Sequence, residues 1–312
     1  MRKWLVVMLV TAGIGVMGCG KDGATTQRPW TNPEHGTASF WHDVKFVPDP
    51  SDSTGKRGKW TGWFHQDNVD VSRLAQGEIR ARVEGRWQTF KVVTLPTDFC
   101  EWNFRRRLRQ LGSMMEMMAK GEMPDLSGPH DGMVASHGMK RKDSDFTINC
   151  AVKGMGWLPR PEKLPELIAR LKATWDDTLP KKLAVLESLY RNGSEFFDLT
   201  KQSSLELYSQ PNFETHTFLN QLTDPGVAIV FLDLPKSYEL RGIAQLLHPD
   251  DPGLSDYERQ VVEYVNLVHD YFHGQSPRKS IAVIYHVVQV FDNSPGRGRG
   301  QRIAPPGQRS AD

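Results

Sequence analysis

Cysteine is scarce in this 312-residue chain: Cys19, Cys100 and Cys150 are the only three. None stands in a C-x-x-C spacing, which excludes a thioredoxin-type dithiol and a cysteine-rich zinc module. An excess of charge of one sign is also missing. Lys and Arg number 39 against 37 Asp and Glu, a net charge of +2 that gives no electrostatic case for a nucleic-acid partner. No apolar run reaches the roughly 20 residues of a membrane-spanning helix, and no internal repeat is present. The chain has no phosphate-cradling glycine loop and no Ser-His-Asp constellation, and its carboxylate pairs, Asp176-Asp177 and Asp250-Asp251, sit at a helix end and a turn where such pairs are ordinary. His269 and His273 share a helix face at i and i+4. Without the Glu of an HExxH motif or a clear third ligand they do not make a zinc hydrolase, and helix-end packing is their plainer role.

What is present is a globular composition, 38% hydrophobic and 24% charged with a mean hydropathy of −0.49, behind an export signal. Arg2 and Lys3 precede an apolar stretch from Trp4 to Val16, and Val16-Met17-Gly18-Cys19 matches a bacterial lipobox cleaved before the cysteine. The uncharged segment Trp4–Gly18 is 15 residues, too short to span a bilayer. The expectation is therefore a signal peptide over 1–18, a lipid on Cys19 and a polar Gly/Pro-containing tether over 19–38. An ordinary signal peptide, with no lipid, is the alternative that Met17 leaves open. Gly20 follows the cysteine in place of the Asp that retains many lipoproteins at the inner membrane, so the expected location is the periplasmic face of the outer membrane. In an oxidising compartment Cys100 and Cys150 either pair across a loop of about 50 residues, for roughly 3–4 kcal/mol, or remain two buried thiols.

The 294 residues after the signal (312 less 18) suffice for two domains. Residues 39–160 form an α/β region without a family assignment. Within it, 77–96 reads as a hairpin turning at Glu84-Gly85, with Ile79, Val83, Phe90 and Val92 inward. FTINCAVKGM (146–155) reads as a further strand, and an amphipathic helix runs to about Lys120. Trp87, Trp102 and Trp157 are expected in the core. Residues 162–192 give a helix pair broken at Pro180. The Arg/Gly-rich end, 297–312, reads as a flexible tail.

From Ser204 to Gly296 the pattern becomes specific. SLELYS (204–209) alternates as a half-buried strand, THTFLNQL (215–222) is a short helix stopped at Asp224-Pro225-Gly226, and VAIVFLDL (227–234) and YELRGIAQLL (238–247) are strands. Ser255 caps a helix to about His273, ended by Gly274, and SIAVIYHVVQVF (280–291) is the last strand. In order and in wording, LYSQPNFETHTFLNQLTDPGVAIVFLD and IAVIYHVVQVFDNSPG resemble the pyridoxamine 5′-phosphate oxidase-like family of FMN-binding split barrels. The resemblance covers the last third of the chain. It implies an α+β fold, a split β-barrel with flanking helices over 161–296, preceded by the α/β extension.

The resemblance further implies FMN at a homodimer interface, its phosphate held at the turn into the short helix by Thr215, His216 and Thr217, with Asn220 one turn on. Free N–H groups at a helix N-terminus suit an anion. The Arg-Lys pair common in the family at this place is absent here, leaving Arg241, Arg278 and Lys279 on neighbouring elements to supply charge. The family's opening hairpin is likewise not visible just upstream. A flavin oxidoreductase is then the first functional reading, with no catalytic side chain to name because the flavin carries the chemistry. A non-catalytic ligand- or haem-binding barrel is the second. The third is copper binding: Met114, Met115, Met117, Met118, Met123, Met133 and Met139 fall within 26 residues that also hold His130 and His137, soft ligands suited to Cu(I), most simply through the loop PHDGMVASHGM.

Overall fold

In a computed structural model of the chain, residues 40–121, 128–141, 143–296 and 298–306 are described. The signal peptide, Cys19 and the tether lie outside them. Twelve strands and six helices occur among the described residues: β1 (His42–Pro48), β2 (Gly58–Trp63), β3 (Val69–Asp70), β4 (Glu78–Val83), β5 (Arg86–Lys91), α1 (Thr97–Lys120), β6 (Asp131–His137), β7 (Ile148–Gly154), α2 (Leu164–Ala173), α3 (Leu179–Arg191), α4 (Gly193–Phe196), β8 (Lys201–Glu206), α5 (His216–Thr223), β9 (Gly226–Asp233), β10 (Lys236–Leu247), α6 (Asp256–His273), β11 (Ile281–Asp292) and β12 (Gln301–Ala304).

The fold is α+β. Seven antiparallel strands form one sheet in the order β12-β11-β10-β9-β6-β7, with β8 also paired to β11. This sheet curls without closing. Its two ends meet where the chain just past β7 bridges β8, Gly156 N–H donating to Ser203 O at 2.7 Å and Ser203 N–H to Gly156 O at 2.9 Å. The opening hairpin of the barrel is β6–β7, which lies before the helices and not directly before β8. Helices α2 to α4 are inserted between it and the rest, so the boundary expected at residue 160 falls between strands of one sheet. The expected flexible tail also differs: Gln301–Ala304 adds a strand to β11 and buries Ala304, because Arg302 and Gln301 continue the ladder opposite Phe291 and Asp292.

The concave side is filled by α1 and α5. Phe99 and Trp102 of α1 pack on Phe231 and Tyr238 of β9 and β10, with Phe99 edge-on to Tyr238 at 5.3 Å. Such aromatic contacts add roughly 0.5–1.5 kcal/mol beyond area burial. Trp157 is fully buried, as expected, but Trp87 is exposed on β5 with Arg80 over its ring. A two-residue turn at Glu84-Gly85, both at positive φ, closes β4–β5, and its inward residues Ile79, Val83, Phe90 and Val92 form a second small core with Ile243. Gly242 permits the β10–β11 bulge, since a Cβ there would run into the carbonyl oxygen of His286. Helix α6 begins with a capping box, Ser255 Oγ accepting from Glu258 N–H while Glu258 Oε2 accepts from Ser255 N–H at 2.8 Å.

Candidate functional site

Helix α5 starts where the sequence places it, and Thr215 is its N-cap, the hydroxyl accepting from Phe218 N–H at 3.4 Å. The expected phosphate ligands are nonetheless committed within the protein. Thr217 is buried and its hydroxyl accepts from Asn149 Nδ2 at 2.7 Å, which ties α5 to β7. Asn220 is fully buried, accepting from Met139 N–H at 2.8 Å and donating to Ser136 Oγ and Thr147 O. His216 Nε2 meets Met139 O at 2.7 Å. Below the cap the protein supplies its own anion: Thr215 Oγ1 donates to Glu206 Oε2 at 3.3 Å, and that carboxylate, 1% exposed, is ion-paired with Lys153 Nζ at 2.7 Å. The positive end of α5 thus already faces a buried carboxylate. An FMN phosphate does not fit this arrangement, since it would lie against Glu206 with the hydroxyls of Thr215 and Thr217 already bonded.

Arg241 is not brought to this turn. Residues facing the same side of the sheet run Cys150, Ala135, Ala228, Arg241 across β7, β6, β9 and β10, whereas Asn149, which holds Thr217, belongs to the opposite side. Arg241 there pairs with Glu239 at 2.6 Å and lies over the Phe291 ring at 4.4 Å. Arg278 does reach the segment leading into α5, donating to Leu207 O at 3.5 Å. Arg141, from the β6–β7 connection, donates to Glu214 O at the same distance. Nothing in the spacing marks Arg141, which lies 73 residues from its acceptor.

Two further groupings were invisible in sequence. The first is a cleft of about 520 Å³ between the chain after β2, the end of β10 and the start of α6. At its rim His65 Nδ1 and Asp251 Oδ2 are 2.7 Å apart, with Asp251 nearly buried and the imidazole over half exposed. The aspartate that reads as half of an ordinary turn pair in fact fixes a histidine 186 residues away. Asp67, Asp70 and Glu258 line the same cleft, and no Lys or Arg does, so it suits a hydrogen-bond donor or cation and repels phosphate. The second grouping is the outer face of β7, β6 and β9, where Met133, Ala135, Ile148, Cys150, Val152 and Leu232 form an apolar surface. Ile148 and Val152 are each 66% exposed and Leu232 54%.

The cysteines do not pair. Cys100 is buried in α1, its thiol directed to Leu95 O and pushed up to about 12 by burial, while Cys150 is exposed on β7. The copper grouping is dismantled by secondary structure. The expected loop is strand β6, whose length sets His130 and His137 on the order of 20 Å apart. Met139 is in the core and His137 faces Asp224. Met123 lies outside the described residues. Among the described residues no three His, Cys, Asp or Glu side chains are placed to hold a metal ion, and no helix is long and apolar enough to cross a membrane.

No protein-family model matches the chain, and no curated protein matches it. Solved structures with a similar fold include tagged HupZ from Group A Streptococcus (15% identity, TM-score 0.29, covering 54% of this chain and 87% of that one) and a single-site histidine-to-alanine variant of it (16%, 0.28, 52% and 89%). A third is a Clostridium acetobutylicum protein related to general stress protein 26 of B. subtilis, of the pyridoxinephosphate oxidase family (10%, 0.26, 60% and 90%). None of these likenesses carries a ligand or an activity over to this chain.

Proposed function

We propose that the chain is a lipid-anchored protein of the bacterial cell envelope whose split-barrel-like domain is a homodimeric, non-catalytic binding module. One observation carries the choice against a flavin oxidoreductase with its phosphate at Thr215-His216-Thr217: Glu206, neutralised by Lys153, takes the cap hydroxyl. The second copy is supported by the outer face of β7, β6 and β9, because Ile148, Val152 and Leu232, exposed on one face of the sheet, gain by burial against an identical surface. Anchoring on Cys19 and a place at the periplasmic face of the outer membrane rest on the lipobox and Gly20. A Cys19→Ser variant is expected to lose both acyl label and membrane association; a wild-type chain recovered soluble and unacylated would remove the anchor.

FMN binding remains the second reading, favoured by Arg278, which reaches the segment between β8 and α5. In that case the protein would bind and orient the isoalloxazine, which supplies hydride or electron chemistry. The visible spectrum of the purified full-length chain, followed by FMN titration, separates the readings. The expected outcome is a colourless protein that added FMN does not saturate below about 0.1 mM. Co-purifying flavin bands, weakened by Arg278→Ala and not by Arg241→Ala, would restore the oxidoreductase. A Soret band would point to haem.

A further inference from the structure

We propose that His269 and His273, on the last turns of α6, form a two-imidazole clamp for a divalent transition-metal ion of the Zn²⁺ or Cu²⁺ type. Their rings lie 4.7 Å apart between centroids with 36° between planes. Ligating nitrogens around one tetrahedral zinc stand roughly 3.3 Å apart, given bonds of about 2.0–2.1 Å, a spacing that two rings this close can present to one ion. The i,i+4 spacing that suggests only packing in the sequence thus becomes a chelating geometry once the rings are seen side by side. Second, the pair is accessible: His273 is exposed and His269 half-buried. Third, one imidazole is already oriented. Asp270 Oδ1 lies 3.2 Å from His269 Nδ1 and is itself held by the Ser276 hydroxyl at 2.5 Å. A carboxylate on one ring nitrogen leaves Nε2 as the ligating atom and raises its basicity, the usual outer-shell arrangement of metal-bound histidine.

The surroundings define the site's denticity. His130, at the entry to β6, lies within electrostatic reach of both imidazoles, but Arg107 Nη1 stands 3.5 Å from its Nδ1. A fixed guanidinium beside the third imidazole opposes its recruitment by a cation, so the clamp is bidentate, with water completing the shell. Two neutral imidazoles follow the Irving–Williams order, and Cu²⁺ binds more tightly than Zn²⁺.

The test is titration of the untagged full-length chain with Zn²⁺ alone and with Cu²⁺ alone, read by calorimetry and by the shift in thermal midpoint. Binding in the micromolar range is expected, weakened at least ten-fold by His269→Ala or His273→Ala. Binding should change less than about three-fold with His42→Ala, an exposed histidine on β1, or with His130→Ala. An Asp270→Asn variant should weaken binding by a smaller factor than either histidine variant, with unchanged circular dichroism as the control for folding. Absence of saturable binding below about 0.1 mM, or affinity unaffected by the double variant His269→Ala/His273→Ala, overturns the proposal. A loss in His42→Ala or His130→Ala as large as in His273→Ala would also overturn it, by placing the metal elsewhere.

Discussion

Lys153→Ala is expected to lower the unfolding free energy by about 3–5 kcal/mol, the range found when one member of a buried ion pair is removed. Glu206 is 1% exposed and its Oε2 is held by Lys153 Nζ at 2.7 Å and by the Thr215 hydroxyl at 3.3 Å. Without the ammonium group the carboxylate keeps one neutral donor, which cannot offset the loss of water around a charge. Replacing both partners by neutral residues of similar shape removes the cause: a Lys153→Met/Glu206→Gln double variant should recover most of the loss. Urea denaturation of wild type, Lys153→Met, Glu206→Gln and the double variant measures the coupling. A Lys153→Ala loss below about 1 kcal/mol would mean that the pair is solvated, and the argument against a phosphate at the α5 turn would lose its charge.

Glu214 provides the second large effect, and its sign is opposite to the usual acid denaturation. Burial pushes its carboxyl up to about 8 from an ordinary 4.5, and the hydrogen bond from Trp41 Nε1 at 2.7 Å only partly opposes this. The folded state therefore holds the proton more tightly than the unfolded chain does. The stabilisation is fully present below pH 4.5 and is lost as pH rises through about 8. At roughly 1.4 kcal/mol per unit of pKa, wild type should lose on the order of 3 kcal/mol relative to Glu214→Gln between pH 5 and 8. The buried imidazoles of His248 and His286, depressed by desolvation to about 4 and about 3, act in the other direction. Their contribution is present above pH 6.5 and falls as the pH drops. Because both chains carry them, the difference between wild type and Glu214→Gln isolates the carboxyl. A pH-independent difference would show that Glu214 is ionised and solvated at neutral pH.

Much of the local structure was legible residue by residue. Ser255 reads as a helix cap and Glu84-Gly85 as a tight turn, since each is set within a few residues of the backbone it shapes, and the structure adds Glu258 as the second half of a capping box and Thr215 as the cap of α5. VAIVFLDL reads as a strand from its continuous apolar run, and in the fold its burial follows a period of two. Local pattern fails where a segment's environment is nonlocal. The stretch around His130 to Met139 carries loop-like glycines and histidines, yet it becomes β6, because pairing with both β7 and β9 outweighs local propensity. Gln301–Ala304 becomes a strand for the same reason, with β11 as its template.

The family resemblance correctly led to an antiparallel sheet, with helices around it, but its residue-level consequences did not follow. Whether Thr217 and Asn220 are free to hold a ligand depends on what lies across from them. Asn149 and Ser136 come from a hairpin more than 60 residues earlier in the chain. Arg241 and the α5 turn are close in sequence but lie on opposite sides of the sheet, because successive strand residues alternate faces and register decides which face a cation serves. By itself, then, the sequence determined the export signal and its lipobox as expectations, and the identity and order of the elements whose caps, turns and periodicities are local. Only the tertiary structure decided that Glu206 and Lys153 meet beneath Thr215, that His65 meets Asp251, that two cysteines stay apart, and that an apolar sheet face is left uncovered. Each depends on packing between segments far apart in the chain, and short-range stereochemistry carries no record of which distant side chain will arrive.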